Sequence, residues 1–257
     1  MKPSPYPERP ITFSAGTATL AGMLHHPTQP GPLHRAGIVV VPGGLNRRAG
    51  LHRLYVLVAR ALAQSGASAL RFDLPGTGES EGAVHRVTRA RLASLEACHL
   101  EEVEAALDCI RRETDAEALV LLGHCSGGRS ALACAAVDAR VRGTVAWAMP
   151  VGSDDASAPS PWVSDAARHL VQRGLPALWV YGTKDPAWSG FRALLESLED
   201  YDTPTPPAQW TVRTVPSANH DFTSVPWTRA LLDITVNWMI AWSAGLNARK
   251  DASWTSP

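Results

Sequence analysis

The fold of this chain is decided by ten residues, Leu119-Val120-Leu121-Leu122-Gly123-His124-Cys125-Ser126-Gly127-Gly128. An apolar, partly branched run leads directly into Gly-x-Cys-x-Gly, and small residues then open an amphipathic segment. We interpret this as a buried strand, a tight turn and a helix, because short apolar runs that end at glycine are typical of strands in parallel sheets. The two flanking glycines would let one backbone approach another closely, with the cysteine raised on a strained turn.

A turn of this pattern is a nucleophile elbow, and here a cysteine stands where serine is usual. Cys125 and Ser126 compete for the central position. Centring the turn on Cys125 places glycine two residues to either side, whereas centring it on Ser126 places His124 where a side chain would crowd the turn. The sequence therefore favours Cys125 over Ser126. A helix N-terminus beneath the turn favours an anion, which suits a thiolate.

Length and charge exclude several classes of protein. The chain has 257 residues and a formal net charge of zero. Its acidic and basic residues are interspersed, which argues against a nucleic-acid groove and against a polybasic membrane patch. The polar, proline-rich stretch Met1 to Pro10 does not resemble a signal peptide, and no stretch approaches the roughly 18 apolar residues of a membrane span. We expect a protein without nucleic-acid or membrane partners.

The cysteines indicate a reducing compartment. Four are present without paired spacing, and Cys98, Cys109 and Cys134 fall inside helical patterns, where a buried structural role is the simplest interpretation. We therefore expect a cytoplasmic protein. No Cys/His cluster has the spacing of a zinc site, and we expect neither a metal nor a cofactor.

Strand and helix patterns alternate along the chain. An N-terminal antiparallel hairpin is predicted from Ile11–Phe13 and Thr17–Leu24. This alternation predicts one α/β domain over residues 1–257, with a mostly parallel, doubly wound sheet. Further strands are predicted over 36–41, 69–72, the run before Gly123, 143–148, 177–181 and 210–215. Helices are predicted over 51–64, 91–112, 126–136, 163–173, 189–198 and 225–244, with a frayed tail over 247–257.

Reactive residues follow several of these strands. Cys125 follows the elbow strand, Asp185 follows Trp179-Val180-Tyr181, and His220 follows the strand that ends near Val215. Pro42-Gly43-Gly44-Leu45 follows the strand over 36–41. Because parallel sheets bind ligands beyond the carboxyl ends of their strands, we expect these groups to share one edge.

With these residues in this order, the chain resembles the α/β-hydrolases over nearly its whole length. Asp73-x-x-Gly76-x-Gly78-x-Ser80 is similar to a recurrent loop of that family. The segment from Leu51 to Gly82 resembles the hydrolases of exosortase gene clusters. The cysteine nucleophile is shared with dienelactone hydrolase, to which the rest of the chain gives no firm match.

The resemblance implies a role for each of these residues. Cys125 would be the nucleophile, His220 the general base, and Asp185 the group that orients the imidazole, with Asp154 and Asp155 as reserve acids. The oxyanion hole would come from the backbone N–H of Ser126 and of Gly44 or Leu45. Two of these residues also have a non-catalytic interpretation: Asp185 as part of a structural Asp-Pro turn, and His220 as a histidine in a surface loop.

The chemistry of a cysteine nucleophile and the composition of the chain indicate a class of substrate. We expect a cysteine-dependent hydrolase or acyltransferase that acts through an acyl-thioenzyme on a small ester, lactone or thioester, free or carried on a carrier protein or coenzyme A. A short lid is predicted over 151–174. Arginines near the expected mouth, Arg47, Arg48 and Arg129, could contact an anionic group of the substrate, although solvated side chains are the simpler interpretation. Four tryptophans are predicted at an apolar pocket, although any one of them is as simply a core residue: Trp147, Trp162, Trp188 and Trp227.

Two other functions fit the same sequence. In lyase-like members of the resembled family from polyketide pathways, a His–Asp pair drives elimination of an acyl group such as acetate. Here that pair would be His220 and Asp185, and Cys125 would bind or position the substrate. A binding module that has lost its chemistry is the second alternative, and the complete order of nucleophile, acid and histidine argues against it.

Overall fold

The computed structural model describes residues 7–27, 29–84, 94–153, 158–199 and 207–253, with the side chains of 199 and 247–253 left aside. Within these ranges it contains eight strands and six α-helices that alternate beyond an N-terminal hairpin. The strands are β1 (Glu8–Ala15), β2 (Ala18–His25), β3 (Ala36–Val41), β4 (Ser68–Phe72), β5 (Ala118–His124), β6 (Val141–Trp147), β7 (Ala177–Gly182) and β8 (Trp210–Val215). The helices are α1 (Leu54–Gln64), α2 (Leu100–Glu113), α3 (Ser126–Val137), α4 (Pro161–Gln172), α5 (Ala187–Glu199) and α6 (Val225–Ser253).

The described strands form one sheet in the order β1-β2-β4-β3-β5-β6-β7-β8. β1 pairs antiparallel with β2, and β2 antiparallel with β4. The remaining neighbours, from β4 through β8, pair in parallel. The predicted α/β-hydrolase fold, with its mostly parallel sheet and N-terminal hairpin, is confirmed. The carboxyl ends of β3, β5, β7 and β8 therefore meet at one edge, which we call the carboxyl edge.

Apolar residues cover both faces of the sheet. On one face, β-strand side chains pack with α2, α3, α4 and α5, and on the other with α1 and α6. β3 shows why: all six of its residues are buried, as expected for a strand covered on both sides. A rigid, doubly covered sheet holds the loops at its carboxyl edge in fixed positions.

Two predicted helix boundaries are wrong. The helix predicted over 91–112 begins at Leu100, because Cys98 is extended and a separate short 3-10 turn covers Leu95–Ala97. Residues 85–93 lie outside the described part of the chain. The helix predicted to stop at Ala244 continues to Ser253, since the sequence that follows is rich in helix-favouring residues and has no proline. The tail predicted as frayed is therefore helical as far as Ser253.

Part of the lid predicted over 151–174 is a helix that packs in the core. Residues 161–172 form α4, whose buried residues Val163, Ala166, Ala167 and Leu170 pack in the core. This stretch is thus a crossover helix between β6 and β7 rather than a cover over the carboxyl edge. A lid role for 151–160 stays a prediction, with residues 154–157, including Asp154 and Asp155, outside the described ranges. No helix in the described ranges combines the length and apolarity needed to cross a bilayer.

Candidate active site

Cys125 occupies a strained turn between β5 and α3. Its backbone has φ 55° and ψ −126°, a conformation with a real energetic cost for a residue other than glycine. The turn is held by two hydrogen bonds: Cys125 N–H donates to the Trp147 carbonyl at 2.9 Å, and Gly128 N–H donates to the Cys125 carbonyl at 3.0 Å. The Cys125 side chain is half-buried, so a reagent can reach it.

The glycines around the turn are required by close backbone packing. A Cβ on Gly123 would collide with the Gly127 carbonyl, and one on Gly127 would collide with the Val41 carbonyl. A Cβ on Gly43 would likewise meet the His124 carbonyl oxygen. The Gly-x-Cys-x-Gly spacing therefore brings three backbone segments together around Cys125, and Ser126 is the first residue of α3.

His220 and Asp185 meet beside this turn. His220 Nδ1 and Asp185 Oδ1 are 2.9 Å apart. The Asp185 side chain is fully buried, and its Oδ1 also accepts a hydrogen bond from Ala187 N–H at 3.0 Å. Its Oδ2 has no hydrogen-bond partner among the described residues. The buried carboxylate is thus oriented by the first turn of α5 toward the imidazole.

The imidazole of His220 lies between Asp185 and Cys125. Burial alone would lower the pKa of His220, but its hydrogen bond with the Asp185 carboxylate and its interaction with the Cys125 side chain raise it to about 11. Such a shift is the expected result of a charge-assisted pair. The arrangement can hold a proton on the imidazole beside Cys125, or return it to a leaving group.

The predicted oxyanion loop follows β3. Gly44 N–H donates to Ser126 Oγ at 2.6 Å, so the amide lies within reach of the residue after Cys125. Gly43 N–H donates to the buried Tyr55 hydroxyl at 3.2 Å, which leaves it engaged elsewhere. The side chain of Leu45 is largely exposed, at 71%. Of the predicted donors, Gly44 and Ser126 are therefore brought together at the elbow.

A buried carboxylate holds this loop in place. Asp73, fully buried, accepts a hydrogen bond from Arg48 N–H at 2.5 Å and pairs with the Arg48 guanidinium. Glu79 N–H donates to the same carboxylate at 3.1 Å, and Ser80 Oγ donates to the Asp73 carbonyl at 2.7 Å. A Cβ on Gly78 would overlap the Asp73 carboxylate. The Asp-x-x-Gly-x-Gly-x-Ser stretch thus connects the predicted oxyanion loop to the end of β4 through these hydrogen bonds.

His124 packs against His220 and lies within hydrogen-bond distance of its backbone. Its buried Nε2 lies 3.1 Å from the His220 carbonyl oxygen, and the two rings have centroids 5.5 Å apart. Burial, and then the charge of His220, lowers the pKa of His124 to about 4, which keeps this ring neutral. His124, His220 and Asp221 also form a group of potential metal ligands within 4.8 Å of one another. Sequence reasoning missed this group, because His124 is 96 residues from His220 in the chain.

The four tryptophans predicted at one pocket lie on opposite faces of the sheet. Trp147 is fully buried, donates to Thr235 at 3.1 Å, and packs with Trp227 on the α1/α6 face. Trp162 and Trp188 pack on the other face. The grouping into one pocket is therefore wrong. Trp162, Trp188 and Trp227 lie at the starts of α4, α5 and α6, and a position after a strand end does not fix which face of the sheet the following helix covers.

Arg129 departs from the expectation of a solvated arginine. It lies in the first turn of α3 and is only 3% exposed. Its Nη1 donates to the Gly152 carbonyl at 2.8 Å, and the Trp162 ring lies 5.0 Å from its guanidinium carbon. Its position four residues after Cys125 indicates that it lies near the candidate site, but the sequence alone does not show that its side chain is buried.

The fold is shared with several solved structures. Est1E from Butyrivibrio proteoclasticus, solved with ferulic acid bound, is 16% identical, with a TM-score of 0.68 over 91% of this chain and 99% of that one. A dienelactone hydrolase from Anabaena variabilis is 19% identical, with a TM-score of 0.66 over 93% and 99% of the two chains. The Pyrococcus furiosus esterase Pf2001 is 13% identical, with a TM-score of 0.68 over 93% and 94%.

At these identities the structural likeness establishes the fold alone. A search of curated proteins finds no significant match. The family described as "Alpha/beta hydrolase family" matches residues 38–255, which include the oxyanion loop, the elbow, Asp185 and His220. The chain therefore belongs to the alpha/beta hydrolase family.

Proposed function

We propose that the protein is a cysteine-dependent acyl hydrolase or acyltransferase in which Cys125 is the nucleophile, His220 the proton carrier and Asp185 the orienting acid. The observation that carries the proposal is the pair formed by Asp185 and His220, with Oδ1 and Nδ1 2.9 Å apart, in which the nearby Cys125 side chain helps to raise the pKa of the imidazole. Cys125 stands at φ 55° on the turn, half-buried and next to a helix N-terminus. Nucleophile, base and orienting group within hydrogen-bond reach are the signature of covalent catalysis.

The proposed reaction has two steps. The Cys125 sulfur attacks the carbonyl carbon of an ester, lactone or thioester, and the bond to the leaving group breaks as that group takes the proton held by His220. Water, or another acceptor, then attacks the acyl-thioenzyme while His220 removes its proton. The sulfur leaves as thiolate, and the acyl group leaves as an acid or as the transferred product.

The backbone N–H groups of Ser126 and of Gly44 or Leu45 are the proposed oxyanion donors. Ser126 Oγ accepts the Gly44 hydrogen bond in this structure, and the substrate oxygen would replace it there. Removal of one oxyanion donor typically costs about 10²–10³-fold in rate. The proposed substrate is a small acyl compound, free or carried as a thioester on a carrier protein or coenzyme A. A cytoplasmic location is part of the same proposal.

Trapping the intermediate tests the proposal. Incubation of the His220→Ala variant with 4-nitrophenyl acetate should give an acetyl adduct that peptide mass spectrometry places on Cys125. Cys125→Ala should lower kcat/KM by about 10⁴-fold or more. Cys134→Ala, which alters a buried helical cysteine, is the matched control and should keep its activity. An adduct on Ser126, or turnover by Cys125→Ala near the wild-type rate, contradicts the proposal.

The same variants separate the elimination alternative. If His220 and Asp185 drive loss of an acyl group by proton abstraction, Cys125→Ala retains turnover while His220→Ala does not, and no covalent adduct accumulates. The strained turn that presents Cys125 beside the His220–Asp185 pair supports the covalent route.

A further inference from the structure

Arg129 is buried one helical turn after the proposed nucleophile, with no anion paired to it among the described residues. Its side chain leaves the first turn of α3 and reaches the loop after β6, where Nη1 donates to the Gly152 carbonyl at 2.8 Å. The guanidinium therefore lies at the carboxyl edge, with one of its three nitrogens bonded.

The other two nitrogens are enclosed and unpaired. Arg129 Nε and Nη2 are both buried and have no hydrogen-bond partner among the described residues. These two N–H groups lie side by side on one edge of the guanidinium, the edge that matches the two oxygens of a carboxylate. Nη1, on the opposite side, is the nitrogen fixed by Gly152. Within the described part of the chain, the Nε/Nη2 edge is thus a pair of parallel donors to which no acceptor is bonded.

The energetic cost of burying Arg129 in this way indicates that the residue has a binding role. A buried guanidinium without its hydrogen bonds costs several kcal/mol, which is why such groups are paired in folded proteins. Burial lowers the pKa of Arg129, and attraction to the sulfur atoms of Cys98 and Cys125 acts in the opposite direction. The stacked Trp162 ring, at 5.0 Å, compensates only in part, because a cation–π contact contributes about 0.5–2 kcal/mol. A residue held at this cost suits an anionic ligand.

We propose that Arg129 binds a free carboxylate on the acyl group of the substrate, so that the enzyme acts on esters or thioesters of dicarboxylic acids. This rests on the proposed function, since it names the acyl group that Cys125 receives. Because Nε and Nη2 are enclosed, the carboxylate must displace a neighbour to reach them. The half-buried Trp162, on the first turn of α4, lies over the guanidinium and is that neighbour.

A ratio of two substrates tests the subsite. The probes are the 4-nitrophenyl monoester of glutaric acid and the same compound with its free carboxylate capped as a methyl ester. Wild-type kcat/KM should favour the free carboxylate by about 10–100-fold, the contribution expected of hydrogen bonds to a charged group. Arg129→Met should bring this ratio close to one. Arg142→Met, an exposed arginine at the start of β6, is the matched control and should keep the wild-type ratio.

A binding measurement separates the subsite from the chemistry. In the Cys125→Ala protein, glutarate should raise the melting temperature, and Arg129→Met should abolish that shift. A wild-type ratio near one, or a ratio unchanged by Arg129→Met, overturns the subsite even when the Cys125 adduct forms. A glutarate shift that depends on Arg129 supports the subsite even when no adduct forms, in which case the proposed function fails alone. Should Arg129→Met not fold, the wild-type ratio decides.

Discussion

Two buried arginines, Arg71 and Arg129, show how differently this fold treats charge in two regions. Arg71, 6% exposed, lies on β4 near the hairpin: its Nε donates to His25 Nε2 at 2.8 Å, and its Nη1 donates to the Arg48 carbonyl at 3.2 Å. Its Nη2 lies 3.7 Å from Glu8. Arg129, 3% exposed, has one bonded nitrogen and two that are unpaired among the described residues.

The difference distinguishes a structural charge from the charge to which we assign a binding role. Near the hairpin, each guanidinium nitrogen of Arg71 faces an acceptor supplied by the chain itself. At the carboxyl edge, the groups without a partner among the described residues include Asp185 Oδ2 and two nitrogens of Arg129, and Cys125 has a strained backbone. Strain and unsatisfied polar groups tend to collect where a protein binds or reacts. Substitutions in the two regions should therefore affect different measurements.

The largest effect is expected at Asp185. Asp185→Asn keeps the shape of the side chain but removes the charge that orients and stabilises the His220 imidazolium. We expect kcat/KM to fall by about 10²–10⁴-fold, the cost of losing the orienting carboxylate in a triad. The free energy of unfolding should also fall, by about 3 kcal/mol, because a buried charge-assisted pair is broken even though the amide oxygen can still accept from Ala187 N–H.

Glu8→Gln is the matched control for this prediction. Glu8 pairs with Arg60 and Arg71 near the hairpin and takes no part in the proposed site. This variant should lose stability and keep its kcat/KM. An Asp185→Asn protein that is as active as wild type, but much less stable, would make Asp185 a structural residue and remove the contrast between the regions.

The second effect contrasts the two arginines directly. Arg71→Met leaves His25 Nε2 and the Arg48 carbonyl without their donor, so we expect a loss of about 3 kcal/mol in the free energy of unfolding. Arg129→Met loses one hydrogen bond but also removes two unpaired buried nitrogens. We expect it to cost no more than about 1 kcal/mol. Urea unfolding of both variants at pH 7.5 measures the difference, and equal losses would show that Arg129 is a structural residue.

Sequence predicted the fold and the geometry of the elbow because both depend on local patterns. Glycine spacing around Cys125 reports a close approach that only one register permits, and apolar runs such as Ala36–Val41 report burial on both faces. The start of α2 was missed because helical periodicity continues upstream of Leu100 while Cys98 is extended. The extension of α6 beyond Ala244 was not predicted, because Gly245 is unfavourable in a helix and the residues that follow carry little apolar periodicity.

The sequence does not predict which polar side chains are buried. Nothing around Arg129 distinguishes it from Arg47 or Arg48, because the carbonyl of Gly152 and the ring of Trp162 come from a separate segment. The sides taken by Trp147 and Trp162 also depend on the register of β6 and the start of α4. These are long-range relations, and they decide which residues are available to a ligand.

The smallest effect is a loss of stability in acid that both regions should share. Burial, then the charge of Arg71, lowers the pKa of His25 to about 4, and burial lowers that of His124 to about 4. Both values lie below the roughly 6.5 of an unfolded histidine, so the folded state binds fewer protons. The associated stability is complete above about pH 6.5 and is lost as pH falls toward 4.

By pH 5 each ring should cost about 2 kcal/mol in the free energy of unfolding. His220 adds little to this slope: its pKa is raised to about 11, so its contribution is complete below about pH 6.5 and is lost progressively as pH rises from there toward 11. Urea unfolding at pH 7, 6 and 5 should therefore show a slope that His25→Gln and His124→Gln each reduce by about half. A slope removed by His25→Gln alone would mean that water reaches His124 through the candidate site, and the carboxyl edge would then be the more open of the two regions.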